Sequence, residues 1–200
     1  MQLIGMLDSP FVRRTAISLD VLGIPFQHKA LSVLRNFDEF AAINPAVKAP
    51  TLVLDDGTVL MESTLIVDYA EALAGRALLP ADPAARLRAL CAIGPALAAC
   101  EKTVQIIYEH KLRPPEKQHQ LWLDRVQTQL FAALGLLEAE AAAATFDTAA
   151  LDQAAITAAV TWSFVQLTVP QIVAPDAFPG LGAWTAQAEM LPVFRRYPVA

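Results

Sequence analysis

"TLVLDDGTVLMESTLIVDYAEALAG" runs from residue 51 to residue 75. Two apolar runs flank Asp56-Gly57, and Asp-Gly suits the positive backbone angles of a tight hairpin turn. The period then changes. From Glu62-Ser63 onward, Leu65, Ile66, Tyr69, Ala70 and Leu73 recur at helical spacing, and Gly75 closes the run. This stretch predicts an antiparallel strand pair followed by an amphipathic helix.

Working upstream, "MQLIGML" (1–7) is a short apolar strand candidate. Pro10 opens a helical pattern through Val12, Ile17, Leu19, Val21 and Leu22, and Gly23 ends it. "PFQHKALSV" (25–33) alternates as a second strand. "NFDEFAAI" (36–43) suits a short helix stopped by Asn44-Pro45. A helical crossover of this length predicts that the first two strands pair in parallel. The first 75 residues therefore read β-α-β-α-β-β-α, a small mixed sheet flanked by helices.

Downstream of Gly75 the strand signals stop. "RALLPADPAA" (76–85) reads as a linker with two prolines. Residues 86–112 suit a long helix, which Gly94-Pro95 should kink or break. Leu123, Val126, Leu130, Leu134 and Leu137 form one apolar stripe. Residues 153–175 carry no charged side chain. A spanning helix needs about 20 mainly apolar residues, but the glutamines, threonines and prolines here favour a central buried helix over 152–168. Asp152 can cap it, although Ala155 leaves half of a capping box missing. "LGAWTAQAEML" (181–191) suggests a last short helix. The expected division is an α/β part over 1–75, a linker over 76–83 and an all-α part over 84–200.

Composition narrows the function classes. The 200-residue chain is 55% hydrophobic and 18% charged, unlike a disordered chain. Its formal charge is -5, and Arg13-Arg14 and Arg195-Arg196 are pairs rather than basic runs, so no nucleic-acid footprint is expected. Cys91 and Cys100 match neither a redox pair nor a zinc knuckle and read as free, buried thiols. His28, His110 and His119 lack metal-ligand spacing, so no metal is expected. The first residues lack the features of a signal peptide, which makes the cytoplasm the expected location.

Three short segments carry candidate chemistry. Ser9 precedes a helix N-terminus, where free N–H groups and the helix dipole favour an anion. It could serve as an ordinary N-cap, or its hydroxyl could hydrogen-bond a thiolate and so raise the nucleophilic fraction of a thiol. Pro50 could be a trans proline opening an edge strand or a cis proline in a specified turn. Ser63 heads a helix, and its hydroxyl with the following N–H groups suits a carboxylate. Glu62 beside it could pair with an ammonium or simply face solvent.

Taken together, "SPFVRR" (9–14), "NPAVKAPTLVLDDG" (44–57) and "ESTLIVDYAE" (62–71), in that order and spacing, resemble the glutathione transferase superfamily. The resemblance covers essentially the whole chain. It implies a thioredoxin-like N-terminal domain joined to an all-α domain. It also implies glutathione as co-substrate, no bound cofactor, and Ser9 as the catalytic residue that hydrogen-bonds the glutathione sulfur. By the same resemblance Pro50 follows a cis bond, and Ala49 offers its backbone to the cysteinyl part of glutathione. Glu62 and Ser63 would take the γ-glutamyl end. Phe11, Lys48 and Arg35 would be further glutathione contacts, with the last two meeting the glycine carboxylate. Tyr108 and Lys111 would belong to the pocket for a small hydrophobic electrophile.

Ser-Pro-Phe is shared with plant tau-class enzymes and replaces the Cys-Pro-Phe of omega-like classes. A cysteine could run thiol–disulfide exchange, and Ser9 cannot. The expected reaction is therefore conjugation or peroxide reduction, in a detoxifying role. The family's usual Asn-Pro-x-Gly-Lys-Val-Pro has Val47 and Ala49 here, which affects the loop around Val47. A homodimer packing one subunit's first domain against the other's second is implied, and no membrane partner. The alternative is a non-catalytic binding protein of the bacterial stringent-starvation type, because fold does not dictate function.

Overall fold

A computed structural model describes residues 1–143 and 145–199. The chain forms two compact units: Met1–Leu78 together with the chain from Leu191 onward, and Leu79–Met190.

The first unit opens with β1 (Gln2–Ile4), α1 (Pro10–Leu22), β2 (Gln27–Lys29) and α2 (Phe37–Ile43). It continues with β3 (Thr51–Val53), β4 (Val59–Met61) and α3 (Ser63–Ala74). The sheet order is β2-β1-β3-β4. As the helical crossover predicts, β1 and β2 are parallel, with Leu3 opposite His28. β3 and β4 are antiparallel, with Leu52 opposite Leu60. Asp56-Gly57 lies in a five-residue connection rather than a two-residue turn. There the Asp56 carboxylate accepts from Thr58 N at 2.9 Å, and Gly57 takes a φ of 86°. That bond to Thr58 holds the Asp56 carboxyl below its usual range.

Helix α1 is more deeply buried than its apolar pattern implies. Every residue from Val12 to Leu19 is buried, including Arg13, Arg14, Thr15 and Ser18. Two hydroxyls are satisfied inside the helix: Thr15 donates to the Phe11 carbonyl at 2.9 Å and Ser18 to the Arg14 carbonyl at 2.7 Å. A short helix absent from the sequence expectation, α8 (Pro192–Arg196), packs on α1 in this same unit. The Arg13 guanidinium lies 5.5 Å from the centre of the Phe194 ring and donates to the Tyr197 carbonyl at 2.7 Å. Phe26 stacks on Tyr197, and Arg196 pairs with Asp20 at 2.6 Å. Burial pushes the Tyr197 hydroxyl up, and Asp20 adds to the effect.

The second unit is helical: α4 (Pro83–Leu112), α5 (Gln120–Ala142), α6 (Gln153–Thr168) and α7 (Pro179–Glu189). A single 3-10 turn, Pro115–Lys117, sits between α4 and α5. α4 packs on α5 and α6, and α7 packs on both α5 and α6. Small buried residues on α4 (Ala89, Ala92, Ala96, Ala99) and on α6 (Ala154, Ala155, Ala158) line the inner faces of this unit. α6 is buried on all sides from Gln153 to Trp162, the central helix that its uncharged sequence predicts. The Asp152 carboxylate caps it through Ala155 N at 2.7 Å, so the cap forms without the missing half of the box. Burial pushes the Asp152 carboxyl up, while backbone N–H groups pull the other way. Glu138 on α5 holds the start of α7, accepting from Gly180 N at 2.7 Å and Leu181 N at 2.8 Å.

Two expectations are corrected here. α4 runs unbroken through Gly94-Pro95. The residue before a proline is restricted partly by its own Cβ, and Gly94 has none. Cys91 is exposed, and only Cys100 is buried. Cys100 Sγ lies 3.2 Å from Thr161 Oγ1 on α6. Among the described residues the helix long and apolar enough to cross a membrane is α4, while the uncharged stretch around α6 is the buried helix expected there. One such helix is weak grounds for a membrane span, and the buried face of α4 packs on α5 and α6 as a core helix does.

Candidate active site

The candidate residues of the first unit sit at three chain junctions. Ser9 occupies the N-cap position of α1 with an extended backbone, but its hydroxyl caps no backbone N–H. The Ser9 carbonyl takes the Arg13 N–H at 3.0 Å. Pro10 has no N–H to offer, so the first turn presents only those of Phe11 and Val12. Ser9 and Phe11 are both partly exposed, whereas Val12 is fully buried. The half-exposed hydroxyl therefore stands at the positive end of a 13-residue helix and is not consumed by it.

The second junction is the loop before β3. The Ala49-Pro50 peptide is cis. Pro50 is buried and Ala49 is half-buried. Asn44 anchors the loop from below: its side chain donates to Thr51 Oγ1 at 2.9 Å and accepts from Ala46 N at 3.0 Å. Thr51 Oγ1 in turn donates to the Lys48 carbonyl at 2.7 Å. Val47 has a φ of 47°, in the left-handed region that a β-branched residue rarely adopts. A glycine would take this backbone conformation without cost, whereas valine holds it under strain.

The third junction is the start of α3. Glu62 caps this helix, its carboxylate oxygens both 3.1 Å from Thr64 N. Its φ of 77° is the other positive value at a non-glycine residue among those described. Strain of this kind collects at functional sites, where the surrounding structure holds it in place. Ser63 is buried, and its hydroxyl donates to Glu62 Oε1 at 3.1 Å. The same hydroxyl accepts from Arg14 Nη1 at 2.9 Å, and Thr64 Oγ1 lies 3.3 Å from that nitrogen.

Arg14 thus joins the helix that begins at Ser9 to the Glu62-Ser63 turn. The sequence reading counted Arg13-Arg14 only as charge. The sequence held no signal of this role, because Thr15, Ser18 and Asp20 in the same helix allow a solvated polar face there. A buried guanidinium needs partners, and α3 and the chain end supply them.

Of the other candidates, Lys48 lies in the loop before β3 and Arg35 in the turn before α2. Arg35 and Lys48 are exposed. The Arg35 backbone N–H bonds Ser32 Oγ at 3.2 Å in a turn before α2. Tyr108 and Lys111 are exposed near the end of α4, in the second unit. Trp162 and Phe164 are core residues, and Trp162 meets the Phe178 ring edge-on at 5.9 Å. Among the described residues no group of three His, Cys, Asp or Glu side chains could hold a metal ion.

Comparison with known proteins matches residues 3–78 to the model of the glutathione S-transferase N-terminal domain. Over its full length the chain is similar to a crystal structure of a glutathione transferase family member from Pseudomonas fluorescens Pf-5 with bound glutathione. The two share 31% identity and a TM-score of 0.87, covering 100% of this chain and 98% of that one. Over 89 residues the chain is 36% identical to the uncharacterized GST-like protein YibF of Escherichia coli K12, covering 44% of each. Over 90 residues it is 28% identical to glutathione S-transferase U4 of Arabidopsis thaliana, covering 44% of this chain and 40% of that relative. These matches span less than half the length of the curated relatives.

Proposed function

Because the chain belongs to the glutathione transferase family, we propose that it binds glutathione in its first unit and activates the thiol for conjugation to small electrophiles or for peroxide reduction. One observation carries this reading: Ser9 stands at a helix N-terminus with a hydroxyl that caps nothing. In the proposed complex this hydroxyl donates to the glutathione sulfur. A donor aimed at the sulfur, together with the helix dipole, favours thiolate over thiol and raises the nucleophilic fraction near neutral pH. The thiolate electron pair then forms a carbon–sulfur bond, and the leaving group departs with its own electron pair.

The remaining assignments follow the tripeptide. The Ala49 backbone, before the cis bond to Pro50, meets the cysteinyl unit. Ser63 takes the γ-glutamyl carboxylate, and Glu62 takes the neighbouring ammonium. Phe11 packs beside the ligand, and Lys48 and Arg35 meet the glycine carboxylate. In the helical unit Tyr108 and Lys111 contact the hydrophobic electrophile. No other cofactor enters. The protein is read as a cytoplasmic, detoxifying homodimer that binds neither nucleic acid nor membrane.

The test pairs calorimetric titration of glutathione with turnover of an aryl halide. Wild type should bind saturably and turn over. Ser9→Ala should keep binding and lose roughly tenfold or more in rate, about 1.4 kcal/mol of barrier. Unchanged turnover in that variant sinks the role of Ser9. No binding by wild type favours the non-catalytic, stringent-starvation-like reading.

A further inference from the structure

Gly5, the residue after β1, is pinched between two parts of the candidate site. Its φ is 140°, a value that only glycine adopts readily. A Cβ there would lie 2.5 Å from Val12 Cγ2 on α1 and 3.1 Å from Ala49 Cβ. The helix that begins at Ser9 and the loop that carries Ala49 thus close on a single residue with no side chain. The position of Gly5 sets how near they come.

Both peptide groups of Gly5 are held from β2. Its N–H donates to the Lys29 carbonyl at 3.1 Å, extending the parallel pairing by one bond. Its carbonyl lies beyond the end of β1 and receives the His28 ring, with Nε2 at 2.8 Å. A carbonyl oxygen can only accept, so Nε2 carries the proton and donates. β2 is an edge strand and His28 is exposed. An exposed edge position accepts almost any polar residue, so packing does not demand a histidine there. The ring instead reaches from the edge strand to the junction.

We propose that His28 is a positioning residue for the glutathione site. By clamping the Gly5 carbonyl it fixes the spacing between the Ser9 helix and the Ala49 backbone. This inference rests on the reading that the first unit binds glutathione. His28 itself touches neither the sulfur nor the peptide ligand.

The test uses the full chain and calorimetric titration of glutathione on wild type, His28→Leu, His28→Asn and His28→Gln. The glutamine amide nitrogen reaches about where Nε2 stands, and the asparagine amide stops one bond short. Loss of one hydrogen bond to a fixed carbonyl should weaken glutathione binding roughly fivefold to tenfold in the Leu and Asn variants. His28→Gln should bind within about twofold of wild type, a rescue that loss of general stability would not produce. The inference is overturned if the Leu or Asn variant binds like wild type, or if the folded Gln variant binds as weakly as they do. If wild type itself fails to bind, the glutathione reading fails and takes the inference with it, an outcome visible without any variant.

Discussion

Arg14 Nη1 donates to the Ser63 hydroxyl oxygen at 2.9 Å, across 49 residues of sequence. The Ser63 hydroxyl in turn donates a hydrogen bond to Glu62, whose carboxylate caps α3. A chain of hydrogen bonds therefore runs from the interior of α1 to the proposed γ-glutamyl site. Arg14→Met keeps the apolar stem of the side chain and removes the donors. Taking away one member of a buried polar network while its partners stay is destabilising, unlike exchanging the whole network. The variant should unfold in urea about 1–3 kcal/mol more easily than wild type, the usual cost of leaving a buried polar group unpaired. Glutathione should bind about tenfold more weakly, about 1.4 kcal/mol, because Ser63 loses the partner that orients it. Unaltered affinity in a folded variant would separate Arg14 from the site.

Ser9 makes a complementary prediction on the stability axis. A serine that truly caps a helix typically contributes about 1 kcal/mol. The Ser9 hydroxyl makes no such bond, so Ser9→Ala should shift unfolding by less than about 0.5 kcal/mol on the same scale. A loss of a full kilocalorie or more would mean that the hydroxyl caps α1 in solution.

Asp152 has the opposite character. Its carboxylate does cap, through Ala155 N, and burial raises its carboxyl above the ordinary value. The native state therefore holds a proton at pH values where the unfolded chain has released it. The contribution of this group is most favourable below the unfolded value and falls as pH rises through the folded one. Asp152→Asn keeps a capping oxygen and cannot ionise. The stability of wild type relative to Asp152→Asn should decline between about pH 4 and the folded value, then level off. Asp152→Ala should be about 1 kcal/mol less stable than Asp152→Asn at every pH. Thermal unfolding of the three proteins across pH checks this, and wild type losing stability relative to Asp152→Asn on acidification would contradict it.

Helix α3 carries two apolar stripes. Ile66, Val67 and Ala70 are buried, while Leu65, Tyr69 and Leu73 are exposed, as are Val59 and Met61 on edge strand β4. Large apolar side chains on one exposed helix face mark an association surface. Leu65→Glu combined with Leu73→Glu should convert the proposed homodimer to monomer in sedimentation analysis while leaving the helical content unchanged. A wild type that sediments as a monomer at micromolar concentration would refute the dimer.

Much of the first unit was legible in its sequence because its signals are local. Asp56-Gly57 names a turn, Pro10 and Gly23 bracket a helix, and a helical crossover dictates parallel pairing. The uncharged run around Ala158 likewise announced a helix buried on all sides. Side-chain roles were less legible, because they depend on partners distant in sequence. Glu62 was a candidate ligand group, yet it also caps α3. Cys91 and Cys100 look alike in sequence, but only Cys100 faces the core.

Local periodicity and turn chemistry, acting over a few residues, determined the β-α-β-α-β-β-α order, the all-helical second half and the three segments that carry the family resemblance. Only the tertiary structure decided that α8 returns to α1, that Arg13 and Arg14 are buried with partners, and that Gly5 sits between Val12 and Ala49. Each of these joins residues far apart along the chain. Whether a polar side chain is solvated or partnered is fixed by what the fold brings against it, and no local pattern encodes that. Ser9 shows the division most plainly: its sequence position marks a helix start, and the structure decides that its hydroxyl is not the cap.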